Sequence, residues 1–214
     1  MSVTGICLIL FLTFHCCMNV AAFFSGDAYN TICAFLGANW YAIAGSIGLA
    51  VLAVCHIVFA FILTAQNRRA RSEQRYEVTS RRPEVSWASQ NMLVLGIIIL
   101  LGIGLHLYNF WYHMQFAEIA GMDVMPDPQD GFGWIKLTFA NPVFSVLYLV
   151  WICAIWFHLS HGFWSAMQTL GWSGKIWLKR WQCIGLVYVT ILMAVFAFLV
   201  ISFWLGFAPS MCNA

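Results

Sequence analysis

The residues of this chain best suited to chemistry are its histidines. There are six, and all lie in stretches apolar enough to cross a lipid bilayer: His15, His56, His106, His113, His158 and His161. A titratable ring inside hydrocarbon is energetically unfavourable, so its presence there is by default a hypothesis of function. At such a depth an imidazole can ligate a metal, pass a proton or hydrogen-bond a neighbouring helix.

The composition is that of an integral membrane protein. Of the 214 residues, 62% are hydrophobic and only 8% are charged, whereas a soluble domain carries about 25% charged residues. The 11 Trp and 18 Phe fit aromatic belts at the two membrane surfaces. The sequence therefore predicts a protein embedded in a lipid bilayer, with no nucleic acid among its partners.

Five segments are long enough to cross a hydrocarbon core, which takes about 20 residues. They predict an all-α membrane protein with one transmembrane domain over residues 1–214. The predicted helices I to V cover about residues 5–24, 41–64, 91–115, 142–168 and 182–207. We expect the I–II connection to contain a short interfacial helix and the long III–IV connection to be functional or locally folded. Helix I starts so abruptly that we expect some upstream residues to be missing.

The basic residues predict the orientation. Nine of the ten Lys and Arg fall in the II–III and IV–V connections, and five of the eight acidic residues fall in the others. The positive-inside rule then places the N-terminus in the cytoplasm and the C-terminus outside. The basic residues are Arg68, Arg69, Arg71, Arg75, Arg81, Arg82, Lys175, Lys179 and Arg180, and the outer acids are Asp27, Glu118, Asp123, Asp127 and Asp130.

Four helices each carry a histidine near the middle of the membrane. At about 1.5 Å per residue, His56 and His158 lie about 12 and 15 Å from the predicted cytoplasmic ends of their helices. His15 and His106 lie further out. Two imidazoles that face each other from neighbouring helices can hold a b-type haem as axial ligands. The sequence therefore predicts a five-helix bundle that encloses two haems, an outer one on His15 and His106 and an inner one on His56 and His158.

Several alternatives stay open at this point. Interhelical hydrogen bonds or a proton relay would also explain intramembrane histidines. His113 lies seven residues past His106, on the same helical face, and could contact a quinol, a haem propionate or simply another polar group. His161 lies three residues past His158, so spacing leaves open which of the two is the ligand. Small residues allow close approach of a porphyrin or of another helix, and these are Gly45, Gly48 and Gly102.

The eight cysteines show no pattern typical of a disulfide framework or a metal cluster. Six of them lie within the predicted helices. No CxxC or CxxCH motif occurs, which argues against a zinc site and against covalent c-type haem attachment. Cys33 and Cys212 fall on the same predicted side of the membrane, so a bridge between them is compatible with the topology.

Four stretches together resemble one known family. They are TGICLILFLTFH in helix I, LAVCHIVFAFILTAQNRRAR in helix II, QNMLVLGIIILLGIGLHLYNFWY in helix III and VWICAIWFHLSHGFWSAMQTLGW in helix IV. The chain resembles the dihaem cytochrome b membrane anchor of succinate:quinone oxidoreductases, which include succinate dehydrogenase and quinol:fumarate reductase. It is most similar to the five-helix, single-subunit form of Bacteroides-type bacteria.

The resemblance implies a ligand set. In the family pattern the ligand histidine of helix IV is followed by a glycine four residues later and then by an aromatic residue, as in His158, Gly162 and Trp164. The resemblance therefore implies His158 rather than His161. Some family members carry an acid two positions before this ligand. This chain has Trp156 there, which puts a proton route through that acid in doubt.

The resemblance also implies a function. Such subunits hold a flavoprotein and an iron–sulfur subunit on the cytoplasmic face of a bacterial inner membrane, and electrons pass between menaquinone or menaquinol and the iron–sulfur subunit through two haems b. Succinate and fumarate react on the flavoprotein. Candidates for the quinol site are Asp27, His113, Glu118 and Asp123. Candidates for haem-propionate partners are Arg68, Lys175, Lys179, Arg180 and His161, although a solvated basic loop explains the Lys and Arg residues as well.

Two other functions share some of these features. A dihaem cytochrome b that anchors a hydrogenase or a formate dehydrogenase would use similar histidines in a different helix IV context. A haem-free membrane protein would use them as a proton relay. A reduced-minus-oxidised spectrum distinguishes the haem-free protein from the other two.

Overall fold

The structure is a computed structural model that describes residues 1–72 and 87–207, without the side chains of residues 71 and 72. Outside the described residues lie Cys212, and with it the suggested bridge to Cys33, and also Arg75, Arg81 and Arg82 of the predicted basic connection. The described part of the chain is helical, and five of its helices are long and apolar enough to cross a membrane.

The five long helices correspond to the five predicted segments. Helix I is an α-helix that continues as one 3₁₀ turn, and helix III changes helix type along its length. The bounds are Ser2–Val20 and Ala21–Phe23 for helix I, Trp40–Ser72 for helix II, Met92–His106, Leu107–Phe116 and Ala117–Ala120 for helix III, Pro142–Thr169 for helix IV and Lys175–Trp204 for helix V. A separate turn of α-helix, Trp87–Gln90, precedes helix III.

Helices II and V extend into the basic segments that were predicted as connections. Helix II continues past the predicted end at Thr64 to Ser72, and helix V begins at Lys175 rather than at Gln182. Lys175, Lys179 and Arg180 therefore lie on a helix and not in a loop. Loss of apolar character marks where the hydrocarbon ends, whereas Arg, Lys, Gln and Ala all favour continued helix. Hydropathy alone thus placed the end of helix II too early and the start of helix V too late.

Helix III widens into a π-helix over Leu107–Phe116, directly after His106. A π-helix has i→i+5 hydrogen bonds and more residues per turn than an α-helix. Residues seven apart, which share one face of an α-helix, therefore separate around the axis. His106 and His113 consequently do not share a face, which corrects the expectation drawn from their spacing.

Two shorter helices fold within the connections at one end of the bundle. The I–II helix, Gly26–Phe35, begins after Ser25, whose hydroxyl accepts a hydrogen bond from the Ala28 N–H at 3.2 Å. The III–IV helix, Gly131–Ala140, begins after Asp130, whose carboxylate accepts one from the Gly133 N–H at 2.9 Å. Both side chains satisfy amide groups that a helix start leaves free. The expected short helix and the expected local folding are therefore both present.

Side-chain hydrogen bonds lock these two helices together. The Asn30 amide donates to Asp130 at 2.8 Å, and its oxygen accepts from the Phe132 N–H at 2.9 Å. The III–IV helix also buries Trp134, Ile135 and Phe139 against the bundle. We call this the acidic end, because it carries Asp27, Glu118, Asp123, Asp127 and Asp130. The opposite, basic end carries Arg68, Arg69, Lys175, Lys179 and Arg180.

The core is formed mainly by helices I, IV and V together with the III–IV helix. Its members include Tyr148 and Ile152 of helix IV and Val189 and Val200 of helix V. Helix II lies at the margin: none of its most apolar stretch is buried, against 33% for helix V. Helix II therefore has little apolar packing within this chain and depends on specific contacts made by a few side chains.

Candidate functional site

The structure brings His15 of helix I and His106 of helix III together. Their ring centroids are 5.8 Å apart and the ring planes are nearly perpendicular, at 87°. Both rings lie in aromatic surroundings. His15 has the rings of Phe11 and Phe196 at 5.6 and 5.8 Å, and His106 has those of Phe110, Tyr148 and Trp151 at 5.1, 6.1 and 5.6 Å.

A second pair forms between helices II and IV. The ring centroids of His56 and His158 are 6.4 Å apart, with an interplanar angle of 71°. The His56 Nδ1 is also 3.1 Å from the Thr4 hydroxyl oxygen of helix I. His161, in contrast, packs its ring edge-on against Trp164 at 4.8 Å. Of the two histidines of helix IV, His158 is therefore the one that faces a histidine of another helix.

Helix I has a residue at each pair, so the rise between these two residues gives the distance between the pairs along the bundle. Thr4 contacts the His56–His158 pair and His15 belongs to the other, and these two residues are eleven positions apart. At 1.5 Å per residue this is about 16 Å along the helix axis. The two pairs thus lie at different depths, and the His56–His158 pair is nearer the basic end.

The spacing of each pair fits two imidazoles that share one metal ion. An imidazole nitrogen lies about 2 Å from a bound transition metal, and about 1 Å more separates it from its ring centre, so opposed rings have centroids about 6 Å apart. The observed 5.8 and 6.4 Å match this value. One two-histidine site on each pair, as in a bis-histidine haem, is consistent with the arrangement of these side chains.

Three of the histidine rings have a buried nitrogen without a partner among the described groups. The Nδ1 atoms of His106, His158 and His161 are buried and have no hydrogen-bond partner among the described groups. Buried polar atoms nearly always have a partner, so an orphaned one indicates a missing ligand, ion or solvent molecule. A ligand imidazole usually donates its other N–H to a carbonyl or hydroxyl. Such a partner is found for His56 and not for His106 or His158.

The glycines near the histidines differ in their surroundings. A Cβ added at Gly102 would overlap the indole ring of Trp151, so this glycine serves the packing of helix IV against helix III. The Trp151 indole N–H donates to the Ile99 carbonyl at 3.1 Å. A Cβ added at Gly45, Gly48 or Gly162 would meet nothing within 4 Å. Of the glycines proposed for close porphyrin approach, Gly102 thus packs against the Trp151 ring, whereas Gly45 and Gly48 border open space.

His113 has its own aromatic surroundings on the π-helical segment. Its ring stacks on Trp134 of the III–IV helix at 4.8 Å and meets Tyr108 and Tyr112 edge-on at 5.2 and 5.1 Å. Its Nδ1 is 2.8 Å from the Tyr108 carbonyl oxygen. Because a carbonyl can only accept, Nδ1 carries a proton, and the other ring nitrogen of a neutral imidazole can accept one.

The three carboxylates proposed for the quinol site have different roles. The Glu118 oxygens accept from the Ala38 N–H at 3.0 Å and from Gln129 at 2.8 Å, so this side chain fastens the loop before helix II. Asp27 is exposed in the first turn of the I–II helix, and Asp123 is exposed in the III–IV connection. The structure does not gather the four candidates into one cluster among the described residues.

An apolar groove of about 450 Å³ runs between helix I and the I–II helix. Thr31 of its lining lies one turn after Asp27, and its hydroxyl donates to the Asp27 carbonyl at 2.8 Å. Phe14 precedes His15 in the sequence. The groove thus lies beside the turn that carries His15. It is lined by Phe14, Met18, Thr31, Ile32, Phe35 and Leu36.

The proposed propionate partners lie at the basic end. Arg68, Lys175, Lys179 and Arg180 are all exposed. The Arg180 guanidinium lies over the Trp177 ring at 5.0 Å, a cation–π contact of a kind common at membrane interfaces. Exposure leaves these side chains free to reach a nearby acid, and it equally suits a solvated basic surface.

Cys33 lies between the I–II and III–IV helices. Burial raises the pKa of its thiol to about 11, and hydrogen bonds from Tyr29 and the Gly131 N–H oppose this only in part. The thiol is therefore protonated near neutral pH. Its position against Gly131 makes it a packing residue of the acidic end.

Comparison with protein-family models, curated proteins and solved structures finds no match for this chain. Among the described residues, no three or more His, Cys, Asp or Glu side chains form a metal cluster. The geometry of the two histidine pairs thus carries the functional argument.

Three contacts of the histidine pairs were missed at the level of sequence. Thr4 bonds His56, Trp151 packs beside His106, and the Asn109 amide donates to the Tyr148 hydroxyl at 3.4 Å next to the same ring. A threonine near the start of an apolar helix and an asparagine three residues past a histidine were the available signals. Their partners lie on other helices, so the spacing could not identify them.

Proposed function

We propose that this chain is the membrane anchor and electron-transfer subunit of a succinate:quinone oxidoreductase, with two b haems as its redox groups. The observation that supports the proposal is the placement of four histidines from four helices in two facing pairs, with ring centroids 5.8 and 6.4 Å apart. The resemblance seen in helices I to IV supplies the identity of the complex, which the pairs alone leave open.

His15 and His106 would hold one haem, and His56 and His158 the other. When bound, a haem with two axial imidazoles supplies one-electron transfer and has no open position for oxygen. The aromatic rings around His15 and His106 keep water from that pair, and Thr4 orients the ring of His56. The two pairs are separated by about 16 Å along helix I, so together they span much of the bilayer.

Menaquinol would be oxidised near the His15–His106 pair, at the acidic end. The apolar groove beside Phe14 suits a quinol ring with its isoprenoid tail, and Asp27 lies one helical turn before Thr31 of its lining. A quinol releases protons as it is oxidised, and a positioned acceptor aids that step. Asp27 and His113 are the preferred acceptors. Glu118 already accepts two hydrogen bonds, and Asp123 lies in the III–IV connection rather than on the I–II helix that lines the groove.

The flavoprotein and iron–sulfur subunits would bind at the basic end, in the cytoplasm of a bacterium. Arg68, Lys175, Lys179 and Arg180 are exposed there and are available to haem propionates or to a partner surface. Fumarate reduction and succinate oxidation would both take place on the flavoprotein and not on this chain.

A reduced-minus-oxidised spectrum of the purified protein tests the haem proposal. We expect a b-type α-band and two haems per chain by pyridine haemochrome analysis. A double variant, His56→Ala with His106→Ala, should abolish the band and provides the matched control. A wild-type protein without a b-type band would eliminate the proposal in favour of a haem-free membrane protein.

Affinity purification from the native membrane tests the identity of the complex. We expect a flavoprotein and an iron–sulfur protein to copurify, with succinate dehydrogenase or fumarate reductase activity. Copurification of a hydrogenase or formate dehydrogenase instead would retain the haems and replace the proposed complex.

A further inference from the structure

Thr4 connects the first turn of helix I to His56 of helix II. Its hydroxyl oxygen lies 2.8 Å from the Met1 carbonyl oxygen and 3.1 Å from the His56 Nδ1. The next residue, Gly5, borders the same ring: a Cβ added there would lie 3.4 Å from the His56 Cε1. The His56 ring is thus carried by helix II, fixed from the side by helix I and faced by His158 of helix IV.

The hydrogens of this contact can be assigned from its partners. A threonine hydroxyl has one proton and two lone pairs, and a carbonyl can only accept. Because the Thr4 proton is donated to the Met1 carbonyl, only a lone pair is left for His56. The His56 Nδ1 must therefore carry the hydrogen. In a neutral imidazole the Nε2 is then unprotonated and available to a metal.

The Nδ1 hydrogen cannot be assigned in the same way for His106 and His158. The Nδ1 atoms of His106 and His158 have no hydrogen-bond partner among the described residues. The difference matters because the ligating nitrogen of an imidazole becomes more basic when the ring's other nitrogen donates its hydrogen to an acceptor. A more basic ligand stabilises the ferric over the ferrous state and lowers the midpoint potential.

We propose that Thr4 is a positioning residue for His56: it fixes the tautomer in which Nε2 is the metal ligand, and it lowers the midpoint potential of the haem on the His56–His158 pair. This inference rests on the proposed function, since it needs a haem at that pair. Thr4 would not itself be a ligand, and it would act through the ring it bonds.

The test is a redox titration of the full purified complex with four variants. Thr4→Val keeps the shape of the side chain and removes the acceptor, whereas Thr4→Ser keeps the hydroxyl. Thr13→Val is the matched control, because Thr13 lies on the same helix and its hydroxyl bonds Tyr188 and the Ile9 carbonyl rather than a histidine. His56→Ala identifies which of the two potentials belongs to this pair.

We expect Thr4→Val to raise the midpoint potential of this haem, by about 59 mV for each tenfold loss of ferric over ferrous binding. The other haem should keep its potential, and Thr4→Ser and Thr13→Val should match the wild type. If Thr4→Val sheds the haem, retention by Thr4→Ser supports the inference and loss from both variants overturns it. Unchanged potentials in Thr4→Val overturn the inference alone. A wild type without haem overturns the proposed function.

Discussion

His158 and His161 show how one helix can separate two histidines only three positions apart. His158 faces His56 with ring centroids 6.4 Å apart, whereas His161 lies edge-on to Trp164. Both lie on nearly the same side of helix IV, so the difference comes from the helices that pack against it. Helix II reaches His158, and no described histidine of another helix pairs with His161.

A prediction follows for this choice of ligand. His158→Ala should remove one of two haems, because one axial ligand of the His56–His158 pair is lost. His161→Ala should retain both haems. Haem content per chain by pyridine haemochrome measures the outcome, with His15→Ala as the variant that should remove the other haem. Loss of a haem in His161→Ala together with its retention in His158→Ala would reverse the assignment.

The proposed quinol site makes a second prediction at this scale. Asp27→Asn and His113→Gln should each slow quinol oxidation by about a hundredfold or more, the usual effect of losing a positioned proton acceptor. Both haems should remain reducible by dithionite, since neither residue ligates metal. Asp123→Asn, an exposed acid of the same end, is the control. Equal loss of activity in all three variants would contradict the site.

The π-helical segment of helix III is the element that redirects its side chains. It starts at Leu107, directly after His106, and carries His113 toward Trp134 of the III–IV helix. The wide turn also holds Asn109 in the core, where it bonds Tyr148. Two histidines that α-helical spacing places together thus take separate positions, one in a pair and one near the acidic end.

The two short helices of the acidic end depend on each other. Asp130 caps the III–IV helix through the Gly133 N–H and also accepts the Asn30 amide of the I–II helix. Asp130→Ala should lower the free energy of unfolding by about 2 kcal/mol. The loss of an N-cap costs about 1 kcal/mol, and the loss of a hydrogen bond to a charged acceptor costs at least as much. For a chain of this size that is a fall of about 4 to 8 °C in melting temperature.

Thermal denaturation of the detergent-solubilised protein measures this effect. Asp123→Ala is the control, because its exposed side chain caps no helix. Asn30→Ala should reproduce part of the loss, and the double variant should lose less than the sum of the two single changes. Strict additivity would indicate that the Asn30–Asp130 contact contributes nothing.

On the scale of the whole molecule, charge and packing divide the bundle in different ways. Exposed basic side chains occupy one end and acidic side chains most of the other, whereas the apolar core joins helices I, IV and V and leaves helix II at the margin. Helix II is linked to the rest by polar contacts at two levels. Ser46 donates to Gln115 at 2.7 Å near the acidic end, and His56 bonds Thr4 near the basic end.

The charge distribution predicts the orientation in the membrane. We expect the basic end in the cytoplasm. In right-side-out spheroplasts, a membrane-impermeant maleimide should label Asp123→Cys and not Lys175→Cys. Inside-out vesicles should give the reverse, and the unmodified chain sets the background of its native cysteines. Labelling of Lys175→Cys from the outside would invert the proposed topology.

The sequence alone determined the features that depend on composition and on local order. Five apolar runs predicted five long helices, because each must satisfy its own backbone within a bilayer. The depths of His15, His56, His106 and His158 predicted the two pairs, since rise per residue is nearly constant in a helix. Both predictions agree with the structure as geometry, whereas haem binding stays a prediction.

The tertiary structure decided what depends on contacts between helices. It showed that Trp151 fills the space beside Gly102, that Thr4 bonds His56, and that His113 meets Trp134 rather than the face of His106. Each of these pairs joins residues far apart in the chain or separated by a change of helix type. Hydropathy and α-helical spacing carry no information on which side chain of a neighbouring helix meets a given one, because many packings satisfy the same apolar pattern.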